Sequence, residues 1–197
     1  MDSSLEQLAA TLPSLEPRLA GTRLVALDGR SGSGKTWLAS QLAAAANALV
    51  IHMEDLYPGW DGLADTTAVL AKWIIGPLSQ GGPARWRRFD WDAMRYAELH
   101  TTGPADVIIL EGCGSIRTGL AATYSARIWA EAPATTRHQR LTARPDWPAY
   151  APHAGRWARD EDRLYQAEQT RQQCDWIIEN PAPDGVIRVR RRTSAAR

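Results

Sequence analysis

Eight residues near the start of the chain have the pattern of a phosphate-binding loop. They read Gly-Arg-Ser-Gly-Ser-Gly-Lys-Thr and complete the motif G-x-x-x-x-G-K-[ST]. The glycines let the backbone bend around an anion, so that successive N–H groups point inward. The lysine would reach the β- and γ-phosphates of a nucleotide, and the threonine hydroxyl would ligate its Mg²⁺. The motif therefore indicates a site for the phosphates of a nucleotide and for the Mg²⁺ bound to them. The residues expected to contact the nucleotide are Gly29, Arg30, Ser31, Gly32, Ser33, Gly34, Lys35 and Thr36.

Carboxylates follow two other apolar segments of the chain. Glu54 and Asp55 come after one of them, and Glu111 follows another. A carboxylate opposite the γ-phosphate can accept the proton of an attacking hydroxyl, and carboxylates can also contact Mg²⁺ or its waters. Successive strand residues face opposite ways, so Glu54 and Asp55 cannot both project toward the γ-phosphate from within a strand. We favour Asp55 as the base and Glu54, with Thr36 and Glu111, as a metal contact; the alternative is that Glu54 is the base. Ordinary turn chemistry is the alternative for all three carboxylates. His52 is expected to pack at the strand end rather than to act in catalysis.

The elements that must position these residues alternate along the chain. Six apolar segments are predicted strands: Arg23–Leu27, Ala48–Met53, Val107–Leu110, Ala126–Ala132, Trp176–Ile178 and, at the edge, Val186–Val189. Helical patterns cover about Lys35–Ala46 and Thr67–Leu78, and a short helix is expected within Leu5–Leu19. Apolar strands alternating with helices indicate an α/β fold with a mainly parallel sheet of about five strands, covered on both faces. In such sheets ligands bind beyond the carboxyl ends of the strands, where the loop and the carboxylates lie.

Composition narrows the class of protein. The chain has 197 residues, of which 44% are hydrophobic, and a net charge of +1. These values predict one domain without a nucleic-acid partner. The sequence lacks an apolar stretch of about 20 residues and a signal-peptide pattern, so a cytoplasmic protein without a membrane partner is expected. Cys113 and Cys174 are far apart and are expected to be free thiols.

Three segments together resemble one family of enzymes. They are the loop with its flanking strand and helix, the run Glu54-Asp55-Leu56-Tyr57, and the run Leu110-Glu111-Gly112. They are similar to the uridine kinase and nicotinamide riboside kinase group of P-loop kinases, over about residues 23 to 180. The resemblance implies a three-layer P-loop NTPase fold. In that group the second strand ends in Asp-x-Phe-Tyr or Asp-Asp-Phe-Phe, whose first Asp is the general base; here Glu54 takes that place.

The resemblance also implies an arginine-bearing lid. The family carries arginines on a helix after the fourth strand, and Arg137, Arg140 and Arg144 fall in that position. Their spacing of three and four residues predicts that they share one helix face, which Pro145 and Pro148 would end. Arg137 is expected to contact the nucleotide, and Arg140 and Arg144 are expected to stabilise charge on the transferring phosphoryl group. A solvated helix face is the alternative.

The same family places an acceptor-binding insertion between the second helix and the third strand. Aromatic and charged residues in this stretch are suited to hold a base and a sugar. Asp90, Trp91 and Arg88 are the expected substrate contacts, together with Tyr57. A surface hairpin without a role in binding is the alternative for the insertion.

These observations predict a single kinase domain over residues 1–197. It would comprise an N-terminal helical extension (1–20), the acceptor-binding insertion (80–104) and the lid region (133–160), and the arginines at 190–192 would be a solvated tail. The expected activity is ATP-dependent phosphorylation of a hydroxyl on a small molecule, in the manner of uridine kinase. One alternative is a nucleoside monophosphate kinase, in which basic residues of the insertion bind the acceptor's phosphate. Those residues are Arg85, Arg87, Arg88 and Arg95. Another alternative is a P-loop module that binds ATP without catalysis.

Overall fold

A computed structural model of the chain describes residues 2–103, 105–180 and 186–192. In this part of the chain a central sheet of seven strands is accompanied by a separate two-stranded sheet. The central strands are β1 (Asp2–Ser3), β2 (Arg23–Asp28), β3 (Leu49–His52), β6 (Val107–Glu111), β7 (Tyr124–Glu131), β8 (Trp176–Glu179) and β9 (Arg188–Arg191). The two-stranded sheet is a hairpin of β4 (Ala84–Asp90) and β5 (Arg95–Thr102).

Seven α-helices connect the strands in the described ranges. They are α1 (Leu5–Thr11), α2 (Lys35–Ala46), α3 (Thr66–Val69), α4 (Gly76–Ser79), α5 (Ala134–Thr142), α6 (Trp147–Glu168) and α7 (Thr170–Gln173). A π-helical turn, Leu70–Ile75, joins α3 to α4, so residues 66–79 form one continuous helical segment. The two predicted helices at 35–46 and 67–78 are thereby confirmed.

The order of the strands is β1-β9-β8-β7-β2-β6-β3. The five strands from β8 to β3 are mutually parallel, whereas β9 and β1 are antiparallel to their neighbours. The prediction of an α/β fold with a mainly parallel sheet of about five strands is confirmed. Because β2 lies in the middle, the loop that follows it has the ends of β7 and β6 on either side.

The C-terminal strand differs from the expectation. The sixth strand lies at Arg188–Arg191 rather than Val186–Val189, and it is not at the edge, because β1 pairs with its outer side. Arg190 forms a salt bridge with Glu179, and the guanidinium of Arg191 lies 5.4 Å from the ring centroid of Trp176. These arginines are therefore part of the sheet rather than a solvated tail, since long aliphatic stems can pack while their charged ends stay exposed.

Both faces of the central sheet are covered by apolar cores. On β2, Val25 and Leu27 pack with residues of α1 and α2, while Leu24 and Ala26 pack with residues of α6 and of the 66–79 segment. Alternate residues of a strand face opposite sides, so a strand buried on both sides must be apolar throughout. This packing fixes the position of the loop at the end of β2.

No helix in the described ranges has the length and apolar character that a bilayer crossing would require. Cys113 and Cys174 are both free and buried, as expected.

Candidate active site

The phosphate-loop motif lies between β2 and α2, as a strand-loop-helix unit. Gly29, Gly32 and Gly34 have φ values of +148°, +80° and +88°, a region that residues with a side chain rarely adopt. A Cβ at Gly32 would also lie 2.5 Å from the main-chain oxygen of Arg137. Glycine is thus required at this point, where α5 packs directly on the loop.

Lys35 is buried on the inner side of the loop. Its ammonium donates hydrogen bonds to the main-chain oxygens of Gly29, at 2.7 Å, and Arg30, at 3.2 Å. Burial alone would lower the pKa of Lys35, but the anionic groups around it, Glu161 and Glu111 among them, hold the pKa above its ordinary value. The site therefore keeps a charged ammonium beside the loop's N–H groups.

Two oxygen ligands suited to a metal lie next to the loop. The Thr36 hydroxyl donates to Oε1 of Glu111 at 3.2 Å, and Nδ1 of His52 lies 2.6 Å from the same oxygen. The hydrogen bond to Glu111 raises the pKa of His52, which favours an imidazolium there. Hydroxyl and carboxylate oxygens suit Mg²⁺, and a site with few protein ligands fits an ion that keeps several waters and binds substrate phosphates. Thr36 and Glu111, both expected metal contacts, are brought together, and His52 makes a polar contact rather than only packing.

The two carboxylates after β3 face different surroundings. The chain leaves the strand in a 3₁₀ turn, Met53–Asp55, and this turn separates the two side chains. Glu54 lines a cavity beside the loop, where its Oε1 lies 3.9 Å from Nη2 of Arg144. Asp55 is not among the lining residues; its Oδ2 instead accepts a hydrogen bond of 3.2 Å from Nε1 of Trp86 on β4. The geometry is unfavourable to the expectation that Asp55 is the base and places Glu54 at the cavity.

The environment of Glu54 alters its protonation. Its side chain is 64% exposed. The surrounding protein nevertheless removes part of the water around the carboxyl group, and this loss of solvation raises its pKa above the ordinary value. The positive charge of Arg144 opposes this shift without cancelling it. A carboxylate with a raised pKa is a better proton acceptor than one in open water.

The expected lid arginines all reach the loop or the cavity, but not from one helix face. Arg137 donates to the main-chain oxygen of Ser31 at 3.3 Å, and Arg140 donates to those of Gly32 and Ser33 at 3.4 and 3.3 Å. Arg144 lies beyond the end of α5. The predicted shared helix face is therefore wrong for Arg144, because the helix stops at Thr142, three residues before Pro145. Arg140 and Arg144 nevertheless both line the cavity.

A group of aromatic side chains, here called the aromatic chamber, also lines the cavity. The cavity has a volume of about 730 Å³. Trp60 is central to the chamber, because its ring stacks on His153 at 4.2 Å between centroids and lies 4.6 Å from the ring of Trp91. The aromatic residues that line the chamber are Tyr57, Trp60, Trp91, Tyr150, His153 and Trp157. Flat apolar walls of this kind suit a planar ring in the ligand.

The insertion lines the cavity with a different set of residues from the predicted one, namely Trp91, Asp92 and Met94. Trp91 lines it and donates from Nε1 to the main-chain oxygen of Glu54 at 3.2 Å, and Tyr57 lines it from the β3 side. Arg88 instead forms a salt bridge with Glu98 on the neighbouring strand. Asp90 accepts hydrogen bonds from two main-chain N–H groups of its own turn. Neither Arg88 nor Asp90 is among the lining residues, and the contacts of both lie within the hairpin itself.

The sequence patterns did not single out Asp28 as a residue of the site. Asp28 is fully buried, and its carboxylate accepts hydrogen bonds from the main-chain N–H groups of Gly29 (2.7 Å), Gly114 (3.0 Å) and Ile116 (3.0 Å). Burial raises its pKa despite these bonds. Asp28 thus ties the start of the loop to the segment after β6. Its position directly before Gly29, at the end of an apolar strand, was the signal available in the sequence.

Comparisons with known proteins agree with this fold. No family model and no curated protein matches the chain. Among solved structures, it is similar to a possible uridine kinase from Bacillus stearothermophilus, with 18% identity, a TM-score of 0.66, and coverage of 88% of this chain and 96% of the other. It is also similar to a candidate fructose transport system kinase from Silicibacter, with 24% identity, a TM-score of 0.61, and coverage of 82% and 95%. At these identities the likeness is one of fold. The chain therefore has the three-layer fold of the uridine kinase-like P-loop kinases, as the resemblance implied.

Proposed function

We propose that this chain is an ATP-dependent kinase that phosphorylates a hydroxyl group on a small molecule with a planar ring, such as a nucleoside. The observation that carries the proposal is that the phosphate loop, a carboxylate and the aromatic chamber all line one cavity. A hydroxyl acceptor must meet the γ-phosphate and a base at the same point. The loop that would bind the γ-phosphate, the aromatic residues that would bind the acceptor and the carboxylate that would act as the base all line this cavity.

The loop side of the cavity would hold the nucleotide. The main-chain N–H groups of residues 29–36 and the Lys35 ammonium would bind the phosphates, and Thr36 and Glu111 would hold Mg²⁺. Bound Mg²⁺ would neutralise charge on the phosphates. Arg140 and Arg144 line the same cavity and would stabilise charge that spreads over the phosphoryl group during transfer.

Glu54 is the residue we propose as general base. It lines the same cavity as the loop and the aromatic chamber, and its raised pKa favours proton acceptance. It also holds the place of the family's catalytic aspartate, although it is one methylene longer. Trp91 donates to the Glu54 main chain, so the chamber wall and the base are linked directly.

The contacts of the insertion weigh against the nucleoside monophosphate kinase. That alternative relied on basic residues of the insertion to bind the acceptor's phosphate, but Arg85, Arg87, Arg88 and Arg95 are not among the lining residues. Arg87 donates to the main-chain oxygen of Ala97, and Arg88 pairs with Glu98, both within the hairpin. Against a binding module without catalysis, we note the carboxylate of raised pKa that lines the same cavity, a feature more typical of proton transfer than of binding alone.

An acceptor panel tests the proposal. The full chain is incubated with ATP and Mg²⁺, together with a nucleoside, the matching nucleoside monophosphate or a sugar, and ADP release is measured. We expect release above the acceptor-free blank with nucleosides and not with monophosphates, and its loss in Lys35→Ala. Release with monophosphates alone would favour the alternative kinase, and nucleotide binding without release for any acceptor would favour the binding module.

A further inference from the structure

One face of α6 contacts both the aromatic chamber and the residue that precedes the phosphate loop. His153, Trp157, Glu161 and Tyr165 are each four residues apart, so they lie along one side of the helix. At one end His153 stacks on Trp60 in the chamber. At the other end the Tyr165 hydroxyl donates to Oδ1 of Asp28 at 2.8 Å, beside the first residue of the loop. The helix therefore contacts both the acceptor chamber and the root of the phosphate loop.

Glu161 lies between these two ends and joins them through one oxygen atom. Its Oε1 accepts hydrogen bonds from the main-chain N–H of Ser31 at 2.9 Å, from the Ser31 hydroxyl at 2.6 Å and from Nε1 of Trp157 at 3.1 Å. The thiol of Cys113 also lies 3.1 Å from this oxygen. Glu161 is 1% exposed. A buried carboxylate is costly unless its hydrogen bonds are made, so each donor helps to fix its position.

We propose that Glu161 is a positioning residue that couples the phosphate loop to the acceptor chamber. It holds Ser31 in the loop and Trp157 in the chamber wall, so a change at either one alters the hydrogen bonding of the other. Removing the Trp157 donor leaves Glu161 less firmly held, and Ser31 with it. A nucleotide must then order the loop on binding, which weakens its affinity. The inference rests on the proposed function, because it takes the loop as the nucleotide site.

The test is a substitution in the chamber that is measured at the loop. Trp157→Phe keeps an aromatic ring but removes the N–H donor to Glu161. We expect it to weaken the binding of ADP with Mg²⁺, measured by titration calorimetry, by about 5-fold or more, the lower end of typical coupling between sites. Trp91→Phe is the matched control. This control also replaces an indole ring of the chamber by a phenyl ring and removes an indole N–H. In Trp91, however, that N–H donates to the main-chain oxygen of Glu54 and not to Glu161. We expect it to leave ADP affinity unchanged.

A double-mutant cycle assigns the effect to Glu161. In a Glu161→Leu background, which has no oxygen to accept from either Ser31 or Trp157, Trp157→Phe should change ADP affinity by less than about 2-fold, the range within which independent sites add. Equal effects of Trp157→Phe and Trp91→Phe on ADP affinity would overturn the coupling, as would a full effect of Trp157→Phe in the Glu161→Leu background. Failure of the unsubstituted chain to bind ADP would instead contradict the proposed function, and the inference with it.

A second measurement serves if Trp157→Phe does not fold. The chain is labelled with 5-fluorotryptophan, and the fluorine resonances of Trp157 and Trp91 are followed in Ser31→Ala. This substitution removes a loop hydroxyl that donates to Glu161 and also contacts Cys113 and Tyr150. We expect the Trp157 resonance to shift and the Trp91 resonance to stay in place. An unmoved Trp157 resonance would overturn the proposal.

Discussion

Replacing Glu54 by glutamine should abolish most of the phosphoryl transfer while leaving the fold intact. Glutamine keeps the shape of the side chain but cannot accept the proton of an acceptor hydroxyl. General-base assistance contributes about 10²–10⁴-fold in rate, which corresponds to about 3–5 kcal/mol in the barrier. The stability should change by less than about 1 kcal/mol, because the pair of Glu54 and Arg144 spans 3.9 Å and both side chains are substantially exposed.

The assay for this prediction compares two adjacent variants. Turnover with a productive acceptor is measured for Glu54→Gln and for Asp55→Asn, together with thermal unfolding of both. Asparagine can still accept the hydrogen bond from Trp86, so we expect Asp55→Asn to stay active and folded. Loss of turnover in Asp55→Asn with an active Glu54→Gln would refute the reasoning and return the base role to Asp55. Full activity in both would remove the base from the mechanism.

The same prediction has a pH signature. The pKa of Glu54 is raised by loss of solvation, so the carboxylate becomes protonated, and its basicity is lost, at a higher pH than for an ordinary glutamate. Turnover should therefore fall as the pH is lowered through this raised pKa. The residual rate of Glu54→Gln should lack that limb of the profile. The same acidic limb in the variant would assign it to another group.

Three further outcomes follow from the loop and its lid. Lys35→Ala should abolish transfer in a chain that still folds, since it removes the charge that would contact the β- and γ-phosphates; unchanged ADP affinity and turnover would contradict this. Gly32→Ala should weaken ADP binding strongly, because a Cβ there meets the α5 main chain at 2.5 Å with φ at +80°, whereas Gly119→Ala, with nothing within 4 Å, should be neutral in calorimetry. Arg140→Ala and Arg144→Ala should each lower turnover more than they change ADP affinity if these cations stabilise the transferring charge; equal turnover in both would reduce them to surface residues.

The phosphate loop and the parallel strands could be predicted because their signals are local. Eight contiguous residues specify the loop, and strands buried on both faces show continuous apolar runs. The bounds of α2 coincide with the sequence-based prediction of 35–46. The assignment of C-terminal arginines to a solvated tail was wrong, because charge alone does not reveal that their stems pack on a neighbouring strand.

The choice between Glu54 and Asp55 could not be made from alternation along a strand. The rule that neighbours face opposite ways holds only inside the strand, and here the chain has already entered a 3₁₀ turn at Met53. The turn directs Glu54 to the cavity and Asp55 to β4. A 3₁₀ turn of only three residues has too few positions to show a recognisable sequence pattern.

The aromatic chamber could not be predicted from the sequence for a different reason. Its walls come from the β3–α3 loop, the hairpin and α6, and only the tertiary packing brings Trp60, Trp91 and Trp157 together. The four-residue spacing of Trp157, Glu161 and Tyr165 was the available signal for a functional face on α6. It could be found in the sequence, but only the fold shows that this face meets the phosphate loop.

The most direct test of the account is to follow the γ-phosphoryl group itself. The full chain is incubated with Mg²⁺, a nucleoside and ATP whose γ-phosphate carries ¹⁸O, and the products are analysed by mass spectrometry. The account predicts a nucleoside monophosphate that carries the label as an ester on a hydroxyl of the acceptor, absent in Lys35→Ala. Label that appears only in inorganic phosphate, or that stays in ATP for every acceptor tested, would contradict a kinase built on this cavity.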